Sequence, residues 1–198
     1  MDLEDTTSTT RYFNTVFGPK SYTEVADVIA EHLVVLLDEV AQGQFQSAPL
    51  GVELLRTIHE RLLSGVIPDM AGRWRSSAVR VGGHYPPEHF HVDRMMRECF
   101  DNIESRLHHA RNDIDLQVEA LAYAEAEILH VHPFQNFNGR AVRVFPTEMI
   151  RRLDFPVTDL HVARDTQAFD AYVAALREYD AYRSLHLLCA FWREYRLA

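Results

Sequence analysis

The chain has 198 residues, 47% apolar and 25% charged, a size and balance for one globular domain with its own core. Its 20 basic residues face 29 acidic ones, a formal net charge of −9, which excludes the broad basic surface that replaces phosphate counterions on nucleic acid. Every basic residue except Lys20 is arginine, and Gly18-Pro19-Lys20 is no Walker-type phosphate loop. Phosphate can be held here only by arginine and backbone N–H groups.

Residues 1–20 lack periodicity and read as a flexible N-terminal arm, with residues 21–198 as a single domain. The first ten residues are acidic and Thr-rich, without the apolar stretch of a secretory signal, so a cytoplasmic location is expected. The longest apolar run, 33–37, is too short to span a bilayer, and no membrane partner is expected. A first helix begins at Ser21, where Glu24 completes a capping-box pattern, and Val25, Val28, Ile29, Leu33, Leu36 and Val40 recur along it at helical spacing. A second runs over about 49–64 and stops at Gly65. Val79, Arg80 and Val81, then Gly82-Gly83, then His84 and Tyr85 make the one good strand–turn–strand candidate, closed by Pro86-Pro87. Further helices are predicted over about 92–107 and 114–131. The second of these stops at His132-Pro133, because the residue before a proline is pushed out of the α region. Another helix starts near Asn138, with a kink or break expected at Pro146, and two more follow around Phe169–Tyr179 and Leu185–Tyr195. Six or seven helices and one short hairpin predict an all-α bundle. Cys99 and Cys189 each fall in an apolar helical pattern and read as buried thiols.

The stretch 132–143, His-Pro-Phe-Gln-Asn-Phe-Asn-Gly-Arg-Ala-Val-Arg, carries the chemistry. A helix ends at a histidine fixed by proline. A polar loop follows, and a new helix opens with Arg140 and Arg143 on one face. A helix N-terminus offers unpaired N–H groups and the positive end of a dipole, and two arginines add forked charged donors. The pattern suggests a polyphosphate site with His132 at its rim, poised to take a proton from a hydroxyl.

The same stretch resembles the signature of the Fic family, HPFx(D/E)GNGRxxR, at His132, Pro133, Phe134, Asn138, Gly139, Arg140 and Arg143. Upstream, 53–63, Ala71-Gly72-Arg73-Trp74-Arg75 and 79–87 are similar to that family's helix, "AGxxR" turn and flap, so the resemblance covers about 49–192. It implies an all-α bundle of six to eight helices with one short β-hairpin flap. It also implies transfer of AMP from ATP, with Mg²⁺, to a Ser, Thr or Tyr hydroxyl of a target protein. His132 would be the base. Asn138 and Gly139 would approach the phosphates, with Arg140 on the β-phosphate and Arg143 on the γ-phosphate or the core side of the site. The flap (Val79, Arg80, Val81, Gly82, Gly83, His84, Tyr85) would align the target by strand-like pairing.

Two positions depart from the pattern. Asn136 replaces the carboxylate that anchors Mg²⁺ in the family and remains only a weak candidate ligand. Phe137 replaces a glycine, costly if that position needs positive φ, and its ring could sit beside the phosphates. Phosphoryl transfer, another nucleotide donor, or a catalytically impaired binding module are therefore the alternatives. The inhibitory (S/T)xxxE(G/N) pattern of many family members is not found in this chain, so inhibition by a separate small antitoxin-like protein is the expectation. His130 with His132, and His108 with His109, read as helix-end residues rather than a metal centre. Arg73 and Arg75 stay open between a nucleotide contact and a buried ion pair.

Overall fold

The computed structural model describes Glu4–Asp5 and residues 11–156 and 158–197. Among these, seven helices form a bundle: α1 (Tyr22–Ala41), α2 (Val52–Leu63), α3 (Val92–Ala110), α4 (Ile114–Val131), α5 (Asn138–Arg152), α6 (Gln167–Tyr182) and α7 (His186–Tyr195). The short strands are β1 (Glu4–Asp5), β2 (Tyr12–Thr15), β3 (Gly18–Ser21) and β4 (Val79–Arg80). None of the described helices is long and apolar enough to cross a membrane.

α4 is the axis. It is buried on nearly every side from Gln117 to Val131, with α3, α5, α6 and α7 packed against it. Alanine-rich sequence makes that possible, because Ala120, Ala122, Ala124 and Ala126 let neighbouring helices approach closely. α1 begins where the sequence places it. Ser21 accepts from the Glu24 N–H, and the Glu24 carboxylate accepts from the Ser21 N–H, a complete capping box.

The structure differs from the sequence reading at three points. Part of the expected flexible arm is an ordered antiparallel hairpin, β2–β3, with Phe13 paired to Lys20 and Tyr12 to Ser21. Phe13 is buried, and the Val16 N–H donates to the Val66 carbonyl, so burial and a long-range hydrogen bond hold a segment that lacks local periodicity. Secondly, α5 does not break at Pro146. The helix is continuous to Arg152, packed against α1, α2 and α4. Thirdly, the flap strand β4 carries a second strand beside it: β1 pairs with it in parallel, Glu4 with Val79 and Asp5 with Arg80. The Thr-rich stretch 6–10 lies outside the described residues.

Candidate active site

The loop between α4 and α5 is bent by two side-chain-bearing residues in the left-handed region, His132 (φ 49°) and Phe137 (φ 60°). Such backbone is uncommon for non-glycine residues and persists only where the surroundings enforce it. Here three neighbours do so. Arg75 donates its Nε–H to the His132 carbonyl (2.9 Å) and its other guanidinium groups to the carbonyls of Ser77 (3.0 Å), Val131 (3.3 Å) and Pro87. Its backbone N–H donates to the Pro133 carbonyl at 2.8 Å. Arg75 thus spends its guanidinium on backbone carbonyls and clamps this loop.

His59 is the second clamp. Its ring stacks on Phe134 with centroids 3.7 Å apart. Nδ1 accepts from the Gly72 N–H (3.1 Å), which leaves the proton on Nε2 to donate to the Asn136 carbonyl (3.0 Å). Burial pushes its pKa down to about 4. Gly72 has φ +65°, and a Cβ there would lie 3.1 Å from the Arg56 carbonyl oxygen, so this turn requires glycine. The third clamp is Asn138. Its Oδ1 accepts from the Phe134 N–H (2.9 Å) and its Nδ2 donates to the Phe134 carbonyl (2.8 Å).

His132, at the C-terminal end of α4, is 8% exposed and lines a cleft of about 560 Å³. Burial, then the nearby charges of Arg75 and His84, hold its pKa down to about 3, while the Leu129 carbonyl opposes them weakly. At neutral pH its ring is uncharged, as a proton acceptor must be. α5 opens with no side-chain cap; the Arg140 and Ala141 N–H groups donate to the Phe137 carbonyl (3.0 and 3.2 Å), and Asn138 and Gly139 before them line the cleft. A Cβ on Gly139 would meet nothing within 4 Å. That residue lines the cleft, and its backbone is open to a ligand. Arg140 and Arg143 also line it. Arg140 lies over the Phe137 ring (5.1 Å) and donates to the Ala26 carbonyl at 3.3 Å. Arg143 is half-buried, and that burial lowers its pKa.

The structure brings together His132, Phe137, Asn138, Gly139, Arg140, Arg143 and the flap's Val81 around one cleft. Of these, Asn138 has its side chain committed to Phe134. The Phe137 ring stacks on Tyr22 (5.7 Å) and leans on Phe13 (5.8 Å), so most of it is core, with its edge at the cleft. Asn136 does not line the cleft: it is 2% exposed, and its Oδ1 accepts from Arg11 Nη1 at 2.9 Å. The flap forms as expected. Val81 and His84 exchange hydrogen bonds (3.1 and 3.0 Å) across Gly82-Gly83, and Tyr85 is exposed.

Sequence reasoning missed three residues. His59 holds the loop from below. Glu125, on the cleft wall, accepts from Tyr172 (2.7 Å), Trp192 (2.8 Å) and Arg196 (2.6 Å). Asp180 ties the flap to the bundle. His84 lies 3.1 Å from Asp180 Oδ2 and 2.9 Å from the His130 carbonyl, and His130 Nδ1 donates to Asp180 Oδ1 at 2.8 Å. These three groups lie within 4.8 Å of one another and satisfy each other by hydrogen bonds. Each missed residue stands alone in a helical pattern, with its partners far along the chain, so spacing gives no signal.

Mg²⁺ finds no fit. A hard divalent cation selects anionic oxygen. Asn136 offers a neutral amide already facing a guanidinium, and Glu125, the carboxylate lining the cleft among the described residues, is paired with Arg196.

The chain is thus an all-α bundle in which a helix-end histidine, the start of the next helix and two arginines line one cleft. A comparison with family profiles matches residues 49–149 to the Fic/DOC family, and the chain belongs to that family. It is 33% identical over 99 residues to "Protein adenylyltransferase Fic" of Aedes aegypti, covering 50% of this chain and 19% of that protein. The counterpart in Nematostella vectensis is 29% identical over 111 residues, covering 56% and 25%. The chain therefore spans about a fifth to a quarter of the length of these curated relatives. Among solved structures, BepC of Bartonella tribocorum with bound AMPPNP superposes with a TM-score of 0.72 at 16% identity, over 94% of this chain and 93% of that one. Fic-1 (residues 134–508) of C. elegans gives 0.60 at 21% identity, over 83% and 48%. At these identities the likeness shows the shared fold.

Proposed function

We propose that the chain is a protein adenylyltransferase that moves AMP from ATP to a Ser, Thr or Tyr hydroxyl of a target protein. The observation that carries this is an uncharged His132 facing the uncapped N-terminus of α5 across one cleft. The names of the adenylyltransferase relatives and the nucleotide analogue bound by BepC support it.

In this reading the phosphates lie along the Asn138 and Gly139 backbone, Arg140 and Arg143. The target hydroxyl sits at His132, and its proton passes to the ring as its oxygen bonds to the α-phosphorus. The bond from that phosphorus to the β-phosphate bridging oxygen breaks, and pyrophosphate leaves with the bridging oxygen. Positioning and charge stabilisation supply the rate, and no covalent enzyme intermediate forms. The target segment pairs along the β4 edge, where the chain's own β1 already shows strand addition. Asn138 acts through Phe134, as a loop clamp rather than a phosphate ligand. The reaction belongs in the cytoplasm, with its ATP. Inhibition by a separate small protein is part of the proposal, since no (S/T)xxxE pattern occurs in this chain.

ATP labelled separately at the α- and γ-phosphates, incubated with a lysate and either wild type or His132→Ala, tests the reading. Transfer of α-label that disappears in the variant supports it. Transfer of γ-label instead assigns phosphoryl transfer, and no transfer with nucleotide still bound assigns an impaired binding module.

A further inference from the structure

We infer that His84, His130 and Asp180 form a zinc site that fastens the flap to α4 and α6. The inference stands apart from the nucleotide reading above. Among the described residues, these three are the group of metal-ligating side chains whose donor atoms all lie within 4.8 Å of one another. They come from three elements: His84 from the flap, His130 from the last turn of α4 and Asp180 from α6. The carboxylate sits between the two rings and divides its oxygens between them. Oδ1 is 2.8 Å from His130 Nδ1, and Oδ2 is 3.1 Å from His84 Nδ1.

The protons at His84 show why a cation belongs there. A carbonyl only accepts, so His84 Nε2, 2.9 Å from the His130 carbonyl, carries a proton. A neutral imidazole has no second proton for Nδ1. The contact of Nδ1 with Asp180 therefore closes only around an added positive charge, a proton or a metal ion. A proton needs His84 and Asp180 alone, whereas this carboxylate has a second imidazole nitrogen on its other oxygen, which completes a set of three ligands. The bond from His84 Nε2 to a backbone carbonyl is also the outer contact that orients a metal-bound histidine. Two nitrogens and a carboxylate suit zinc rather than a hard cation such as Mg²⁺. Zinc bonds of about 2.0–2.1 Å set tetrahedral ligands about 3.3 Å apart, so the two separations to Asp180 need to open by only about half an ångström or less. Gly82-Gly83, beside His84, gives the flap the freedom to adjust.

Arg183 is the competitor for this site. It donates to His130 Nε2 at 2.6 Å, and its Nη1 lies 3.2 Å from Glu127. Metal on Nδ1 shifts the His130 proton to Nε2. Arg183, half-exposed, then turns from the ring and keeps Glu127. His84 and Asp180 are partly exposed, which gives the ion an entry path and water a place in the fourth position.

The test uses the full chain without a histidine tag, stripped of metal with EDTA and dialysed. Zinc chloride is titrated calorimetrically, and Co²⁺ is added separately to read the visible absorption of a tetrahedral site. Wild type is expected to take up a single equivalent of zinc with micromolar affinity or better. His84→Ala and the near-isosteric Asp180→Asn, each checked for folding by circular dichroism, should weaken zinc by at least about a hundredfold, more than loss of an outer partner costs, and should abolish the Co²⁺ bands. Arg183→Met should tighten zinc several-fold, a gain that a purely structural cluster would not give. Amide hydrogen exchange over residues 79–84 should slow when zinc is bound. Absence of saturable zinc binding below about a millimolar overturns the inference and leaves a proton between His84 and Asp180. Zinc affinity unchanged in both His84→Ala and Asp180→Asn overturns it as well, by placing the ion elsewhere, and bound zinc without slower exchange at 79–84 overturns the fastening. None of these readouts needs nucleotide or activity, so failure of the adenylyltransferase reading leaves them intact.

Discussion

The imidazole of His59 lies flat on the ring of Phe134, centroids 3.7 Å apart and planes parallel. Through that one contact α2 sets the height of the loop that carries His132. The ring also bonds to the Gly72 N–H and to the Asn136 carbonyl, so it joins the turn 68–75 to the signature loop. His59→Ala removes the stack and leaves two buried backbone groups unpaired. A loss of about 3 kcal/mol in unfolding free energy is expected, from the cavity and the orphaned groups together. Urea denaturation measures it. A loss below about 1 kcal/mol would show that the loop holds its shape without this histidine.

Acid should unfold the protein early. The folded-state pKa values of His132 and His59 are depressed, to about 3 and about 4, from an ordinary 6.5. Both histidines therefore contribute stability above pH 6.5. That stability is lost as the pH falls, because the unfolded chain binds the protons first. Each histidine should cost at most about 1.4 kcal/mol per pH unit between pH 6 and pH 4. Thermal melts across that range should show a steep fall in Tm, and the fall should be shallower in His132→Asn. A Tm independent of pH down to 4 would contradict the burial of both rings.

Arg75 makes the sharpest case for a positioning residue. Its fork reaches the carbonyls on both sides of the His132 bend and at the base of the flap. Lysine has one point donor and cannot span these acceptors. Arg75→Lys should fold with about 2 kcal/mol less stability, yet lower the rate of transfer by about a hundredfold, as expected when a base shifts by an ångström. Nucleotide affinity should stay within a few-fold. Equal losses in rate and nucleotide affinity would point to general disorder of the loop instead.

How far these features could be read from sequence depends on their range. The capping box at Ser21 and Glu24, and both ends of α4, are local, and the structure keeps them at the expected residues. The signature loop was legible because its residues are contiguous. The β2–β3 hairpin was not. Its turn residues, Val16 and Phe17, give no turn signal, and the pairing is fixed by burial of Phe13 against Phe137, far along the chain. Pro146 does not break α5, because packing on three sides keeps the helix continuous despite a missing N–H. The partner of Asn136 was invisible for the same reason: Arg11 lies 125 residues away.

β1 occupies the edge of β4 in parallel register, the edge a target segment would need. Deleting residues 1–5 should free it. The truncated chain is expected to modify a target several-fold faster, with unchanged nucleotide affinity. A time course with labelled ATP and a fixed lysate measures the rate. Peptide mapping in the same experiment reports whether Thr6, Thr7, Ser8, Thr9 or Thr10 accepts AMP in the full chain. An unchanged rate on truncation would mean that β1 yields the edge freely.

The flap's other side is held by His84. One ring nitrogen faces Asp180 (3.1 Å) and the other the His130 carbonyl (2.9 Å), two residues before His132. His130 is fixed in turn: its Nε2 accepts from Arg183 at 2.6 Å, so Nδ1 carries the proton and donates to Asp180. The flap, α4 and α6 thus meet at one carboxylate. Asp180→Ala leaves both histidines without that acceptor and should cost about 2 kcal/mol. Its signature should be local. Amide hydrogen exchange should accelerate over residues 79–84 while α2 and α5 stay protected. With the flap assigned to the target and the arginines to the nucleotide, as proposed above, the KM for a target protein should rise several-fold with little change for ATP. Uniformly faster exchange would instead mark Asp180 as a general stabiliser of the bundle.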